Sequence, residues 1–171
     1  MTQMSKDLPE IIVIAHNIRS THNVGAIFRT AEGFGITKIL LSGYTPYPTT
    51  IHDPRLPHIS DKLTSQIHKT ALGAETMVPF EYSEEIPLKL LKEAGFQIVA
   101  LEQDSRSIPL SQYKTPKKIA LVLGEEVHGI TQELLEQCDD ILEIPMVGKK
   151  ESFNVSVAAG IALYALVTVA I

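Results

Sequence analysis

The stretch IIVIAHNIRSTHNVGAIFRTAEGFGITKILLSG, residues 11–43, decides the fold class. "IIVIA" (11–15) is a short β-branched run that reads as a buried strand, and "KILLSG" (38–43) reads as the next one. Between them "NVGAIFRTAEGFG" (23–35) has helical spacing, with Asn23 as the expected N-cap and Gly33/Gly35 as the stop. Two apolar strands joined through a helix form a crossover unit, so the strands run parallel and are covered by helices. Downstream the pattern repeats. Residues 44–60 hold four prolines and read as a long surface loop, followed by a helical piece at about 60–72. "TMVPFEY" (76–82) reads as a strand and "SEEIPLKLLKEAG" (83–95) as a helix capped by Ser83. "QIVALE" (97–102), "KIALVLG" (118–124) and "DILEIP" (140–145) are further strands, with a short helix in "TQELLEQC" (131–138). The expectation is one α/β domain over residues 1–171, a mostly parallel sheet with helices on both faces.

Composition narrows the function classes. The net charge is −5, which weighs mildly against a nucleic-acid binder. Its distribution weighs the other way: residues 1–70 sum to +2 and hold five of the six histidines, while residues 71–171 sum to −7. One cysteine, Cys138, excludes an intramolecular disulfide framework and fits a reducing compartment. The opening residues MTQMSKDLPE show no apolar or Arg-rich targeting pattern, so the chain is expected in the cytoplasm. His52 and His58 lack the spacing of a zinc motif, and no metal site is expected. No GxxxxGK[ST], GxGxxG or GxSxG stretch occurs, which disfavours P-loop enzymes, ordinary dinucleotide dehydrogenases and hydrolases with a nucleophile elbow. From Asn154 to Ile171 there is no charge, which raises a choice between a membrane anchor and a helix buried by other means. Asn154 and Ser156 open such a span poorly, so burial within protein is the expectation.

In an open parallel sheet, ligands bind beyond the carboxyl ends of the strands. Three segments with unusual residues leave strands there: HNIRSTHNVGAIFRTA (16–31), GEEVHG (124–129) and MVGKKESFN (146–154). All three are expected at one edge.

These segments, extended to NVGAIFRTAEGFG, LVLGEEVHGI and IPMVGKKESFNVSVAAGIALY, resemble in order and spacing the three motifs of SpoU-type RNA 2′-O-ribose methyltransferases of the SPOUT class. The resemblance runs from about residue 11 to the end of the chain. It implies a C-terminal trefoil knot, S-adenosylmethionine as cofactor without a metal, RNA as substrate and a homodimer paired through the last helix and the motif-one elements. Asn23, Gly25 and Arg29 match motif one; Gly124, Glu126 and Gly129 match motif two, with Glu125 on the variable position; Pro145, Gly148, Ser152 and Asn154 match motif three. Phe153 stands where the family most often has Leu. The implied catalytic set is Arg29, Asn23, Glu126, Ser152 and Asn154, and the implied cofactor set is Leu101, Gly124, Ile144, Met146 and Phe153. Gly124 and Gly148 are expected to allow close backbone approach.

The resemblance assigns ribose deprotonation or orientation to Arg29. A guanidinium does not deprotonate in ordinary protein surroundings, which favours a clamp on phosphate or ribose over a literal base. Arg19, Arg55, Lys62, Lys69, Lys149 and Lys150 are the candidate phosphate contacts. The chain has only about ten residues before its first strand, where many ribosomal-RNA members carry an extra RNA-binding domain, which tilts the expected substrate toward tRNA over rRNA. A catalytically inactive knot-fold RNA-binding protein is the alternative, disfavoured because Asn23, Arg29, Ser152 and Asn154 are all present.

Overall fold

The structure, a computed structural model, describes residues 8–168. Seven strands form one sheet: β1 (Glu10–His16), β2 (Lys38–Ser42), β3 (Phe80–Ser83), β4 (Gln97–Leu101), β5 (Ile108–Pro109), β6 (Lys118–Leu123) and β7 (Asp140–Glu143). Their spatial order is β3-β2-β1-β6-β4-β7-β5, and every pairing is parallel. The helices are α1 (Thr21–Gly33), α2 (Pro57–Ala71), α3 (Leu88–Glu93), α4 (Gln132–Leu135) and α5 (Val155–Thr168).

The alternation along β1 sorts the layers. Ile11, Val13 and Ala15 join a core with Val24, Ile27 and Phe28 of α1, Ile67 of α2 and Leu163 of α5. Ile12 and Ile14 face the other way and pack with Leu134 and Leu135 of α4, backed by Leu88 and Leu91 of α3. Both faces are therefore covered, as the apolar strands require. Phe28, fully buried, meets Phe80 edge-on at 5.6 Å between ring centroids. Burial of such a side chain contributes about 1.5–3 kcal/mol.

Several boundaries differ from the sequence reading, each for a local reason. Ser20, not Asn23, caps α1: its Oγ accepts from the Asn23 backbone N–H at 3.2 Å, which puts Asn23 inside the first turn. Helix α2 begins at Pro57 rather than near 60, since proline suits the first helical position, where no N–H is needed. Residues Ala74–Thr76 form a 3-10 turn, so β3 starts only at Phe80. Ser83 ends β3 instead of capping α3, which follows Pro87. Ile108–Pro109, unforeseen, adds a two-residue edge strand, a place where proline is tolerated.

Helix α5 answers the question of the uncharged tail. Ala159, Ala162, Leu163 and Leu166 are buried at 1% exposure or less against α1 and the sheet. Val157 and Tyr164 stay exposed on the opposite side. Among the described residues no helix is long and apolar enough to cross a membrane. Residues 169–171 lie outside the described residues.

Candidate active site

The loops that leave β6, β4 and β7 meet at the sheet's carboxyl edge and enclose a cleft of about 480 Å³. That volume suits a small organic cofactor. Leu101, Ile144 and Phe153 supply apolar walls, and Gly124, Glu126, Ser152 and Asn154 also line it. Gly124 must be glycine: a Cβ there would lie 2.6 Å from the Gly129 carbonyl carbon and the Ile130 side chain. Gly129, at φ +66°, turns the loop back, and a Cβ on it would run into the Glu102 carboxylate. The turn closes through paired backbone bonds between Glu125 and Gly129, at 3.2 and 2.9 Å.

Glu126 reaches from this turn to the start of α1. Its carboxylate accepts from Arg19 N at 3.1 Å, from Ser20 N at 3.1 Å and from Asn23 Nδ2 at 2.9 Å. Burial pushes its carboxyl up, but those hydrogen bonds outweigh burial and hold it below the usual carboxylate range. Asn23 Oδ1 in turn accepts from Asn154 Nδ2 at 3.2 Å, and Asn154 Oδ1 accepts from Ser156 N at 2.9 Å and Ser156 Oγ at 2.7 Å. One chain of hydrogen bonds thus ties the three motif segments together: Glu126, Asn23, Asn154. Asn154 also caps α5, while Ser152 lies exposed at the cleft.

Other expected residues fall elsewhere. Arg29 is exposed on α1, outside the cleft lining, with no hydrogen bond or ion pair among the described residues. Met146 is half-buried and does not line the cleft. Gly148 has open space around it, so close approach within the chain does not explain it. Arg55 is not a free phosphate contact: it binds Asp53 and the Tyr47 and Pro48 carbonyls, and its guanidinium lies 3.5 Å above the Tyr47 ring. Lys62 and Lys69 are exposed on α2, and Lys149 and Lys150 on the loop before α5. Arg19 is 62% exposed, with its Nε 3.1 Å from Glu125 Oε1.

Glu102 was missed. It follows β4, lines the cleft, and accepts from Ile130 N at 3.0 Å and Gln103 N at 2.9 Å. An acidic residue directly after a buried parallel strand was the available signal. Cys138, tucked beside α4, has its thiol pushed up to about 11 by burial and has no part in the cleft.

Comparison with known proteins matches this architecture. The SpoU rRNA Methylase family profile covers residues 10–164. A tRNA (guanosine(18)-2'-O)-methyltransferase from Aquifex aeolicus is 32% identical over 94% of this chain and 70% of its own length. A 23S rRNA (guanosine-2'-O-)-methyltransferase from Nitrosomonas europaea is 32% identical over 91% of this chain, which spans only 55% of that protein. Among solved structures, the A. aeolicus TrmH/SpoU tRNA modifying enzyme superposes with a TM-score of 0.76 at 30% identity, covering 96% of this chain and 77% of that one. An AdoMet-bound rRNA methyltransferase from Sinorhizobium meliloti gives a TM-score of 0.77 at 24% identity, over 93% of this chain and 56% of its own. With its three motif segments joined at one sheet edge and its fold shared with these structures, the chain belongs to the SpoU rRNA methylase family.

Proposed function

We propose that the chain is an S-adenosylmethionine-dependent RNA methyltransferase that acts on a ribose 2′-OH, with tRNA favoured over rRNA, and works as a cytoplasmic homodimer. The observation that carries this reading is the Glu126–Asn23–Asn154 chain of hydrogen bonds at the mouth of the cleft. The cleft fits the cofactor: apolar Leu101, Ile144 and Phe153 can flank an adenine, and the side-chain-free Gly124 exposes backbone beside it. When bound, S-adenosylmethionine would supply a sulfonium methyl group, with S-adenosylhomocysteine as the leaving thioether and solvent water as the acceptor of the hydroxyl proton.

The residues of this chain orient and do not deprotonate. Glu126 commits both oxygens to three donors, so it positions Asn23 and the start of α1. Asn23 and Asn154 hold each other's amides fixed beside the cleft, which favours alignment of the hydroxyl. Arg29 serves as the clamp on ribose or phosphate. Because it lies outside the cleft of its own chain, the clamp is supplied across the proposed dimer.

Mixing the protein with S-adenosylmethionine and bulk RNA from cells lacking it is expected to release S-adenosylhomocysteine, with 2′-O-methyl marks found by mass mapping. Arg29→Ala is expected to abolish most turnover while calorimetry shows cofactor affinity nearly intact. Loss of cofactor binding in step with activity would refute the clamp.

A further inference from the structure

Beside the cleft lies a second cavity of about 620 Å³, between the start of α1, the turn after β2 and α2. Arg19 and Ser20 line it, and their backbone N–H groups bind Glu126, which lines the cleft, so the two cavities lie on either side of this contact. Its frame is rigid. Tyr47 stacks on Tyr82 at 4.0 Å, Arg55 covers the other face of Tyr47, and the Tyr82 hydroxyl donates to the Gly43 carbonyl at 2.8 Å. Thr45 Oγ1 donates toward the Ala15 and Ser42 carbonyls and accepts from Ile18 N, while Tyr44 N donates to Asn17 Oδ1.

Within this frame some groups are uncommitted. Tyr44 leaves 55% of its surface exposed, an unusual state for a ring on an otherwise pinned turn. The side chains of Thr21 and Gln66 line the cavity and make no hydrogen bond among the described residues. The Arg19 guanidinium stands at the rim, ion-paired with Glu125 and beside the Tyr44 hydroxyl. An aromatic face, an amide offering both a donor and an acceptor, and a cation at the rim are the groups that hold an unstacked nucleobase: stacking, edge reading, and contact with the attached phosphate.

We infer that this second cavity receives the base of the nucleotide whose ribose is methylated, swung out of its stack onto Tyr44 with its edge read by Gln66. The inference rests on the RNA methyltransferase reading. The contact of Glu126 with Arg19 and Ser20 supports it, because it sets the second cavity directly beside the site proposed for the ribose.

The test uses the whole protein, S-adenosylmethionine and bulk RNA from cells lacking the protein. Tyr44→Ala is expected to raise the KM for RNA roughly ten- to a hundred-fold. The same variant keeps its cofactor affinity by calorimetry and its melting temperature, and Tyr44→Phe, which keeps the ring face, recovers most of the KM. Gln66→Ala is expected to broaden base identity at the mapped methylated position. Unchanged KM and base identity in both variants would overturn the inference, as would altered preference only at flanking nucleotides. If the wild type transfers no methyl to RNA, the enzymatic reading falls by itself. The cavity is then read by a short 2-aminopurine oligoribonucleotide: quenching that Tyr44→Ala abolishes supports base binding, and quenching that is absent or unchanged overturns it.

Discussion

Glu126 brings one negative charge to a point where three N–H donors converge, two of them from the backbone entering α1. Such bonds are made to the ionised form, so their contribution is complete above the ordinary glutamate value of about 4.3 and is lost as pH falls through the lowered folded value. Glu126→Gln turns an acceptor-only group into one that faces donors with its own N–H. The variant is expected to lose about 1.5–3 kcal/mol in urea unfolding at pH 7. The deficit relative to wild type should shrink as the pH is lowered below about 4. An equal deficit at neutral and acid pH would mean the charge is not what these donors hold. The resemblance to the second motif selected Glu126 over Glu125, and the structure shows the physical difference. Glu125 turns inward at 7% exposure to accept from His128 N at 2.8 Å, while its neighbour reaches across to α1. Both carboxylates meet Arg19, Glu125 through the guanidinium and Glu126 through the backbone N–H, and only the motif distinguished them in advance.

At the scale of elements, the contact between α1 and α2 depends on one missing side chain. A Cβ on Gly25 would run into the Ile67 carbonyl and the Thr70 hydroxyl, and Thr70 Oγ1 also donates to the His22 carbonyl at 2.9 Å. Gly25→Ala gains helix propensity but forces the helices apart, a cost of about 1–3 kcal/mol for overpacking. A lower urea midpoint with an unchanged m-value is the expected result; a stabilised protein would show that α2 yields freely. The loop before α2 is organised by Arg55, whose bond to Asp53 holds that carboxyl well below its usual range. Arg55→Ala is therefore expected to lower the melting temperature while leaving the salt dependence of RNA binding unchanged; pairwise neutralisation of Arg19, Lys62 and Lys69 flattens it. A flattened slope in Arg55→Ala would restore it as a phosphate contact. The strands were legible because β1, β2, β4 and β6 are uniform apolar runs buried on both faces. Helix starts were less so: Ser20 and Asn23 both suit a cap, and Ser83 precedes a helix it does not begin. What decided between them was tertiary, namely the reach of Glu126 to Asn23 and the pairing of Ser83 with Ser42 in β3.

At the scale of the whole molecule, the proposed dimer explains two surfaces at once. Helix α5 buries Ala162 and Leu163 in its own core but leaves Val157 at 50% and Tyr164 at 60% exposure, with Tyr164 edge-on to Phe34 at 6.3 Å. A charge meant to probe pairing therefore belongs at Val157 or Tyr164; at Ala162 it would enter the chain's own core, where an unpaired charge costs several kcal/mol. Arg29 is the second surface, a motif residue that lies outside the cleft lined by Glu126, Ser152 and Asn154. A two-fold pair gives every residue an equivalent in the partner, so a clamp supplied across the interface acts on the neighbouring site. Arg29→Ala and Asn154→Ala are each expected to be nearly inactive alone. When equal amounts are unfolded together and refolded, half of the dimers are mixed, and in each one site pairs an intact Asn154 with an intact Arg29. Activity is then expected to return to about a quarter of wild type, the share that random two-fold pairing dictates. A mixture that stays inactive while light scattering shows dimers would place Arg29 on its own chain's site, and a wild-type monomer with full activity would remove the dimer from the mechanism.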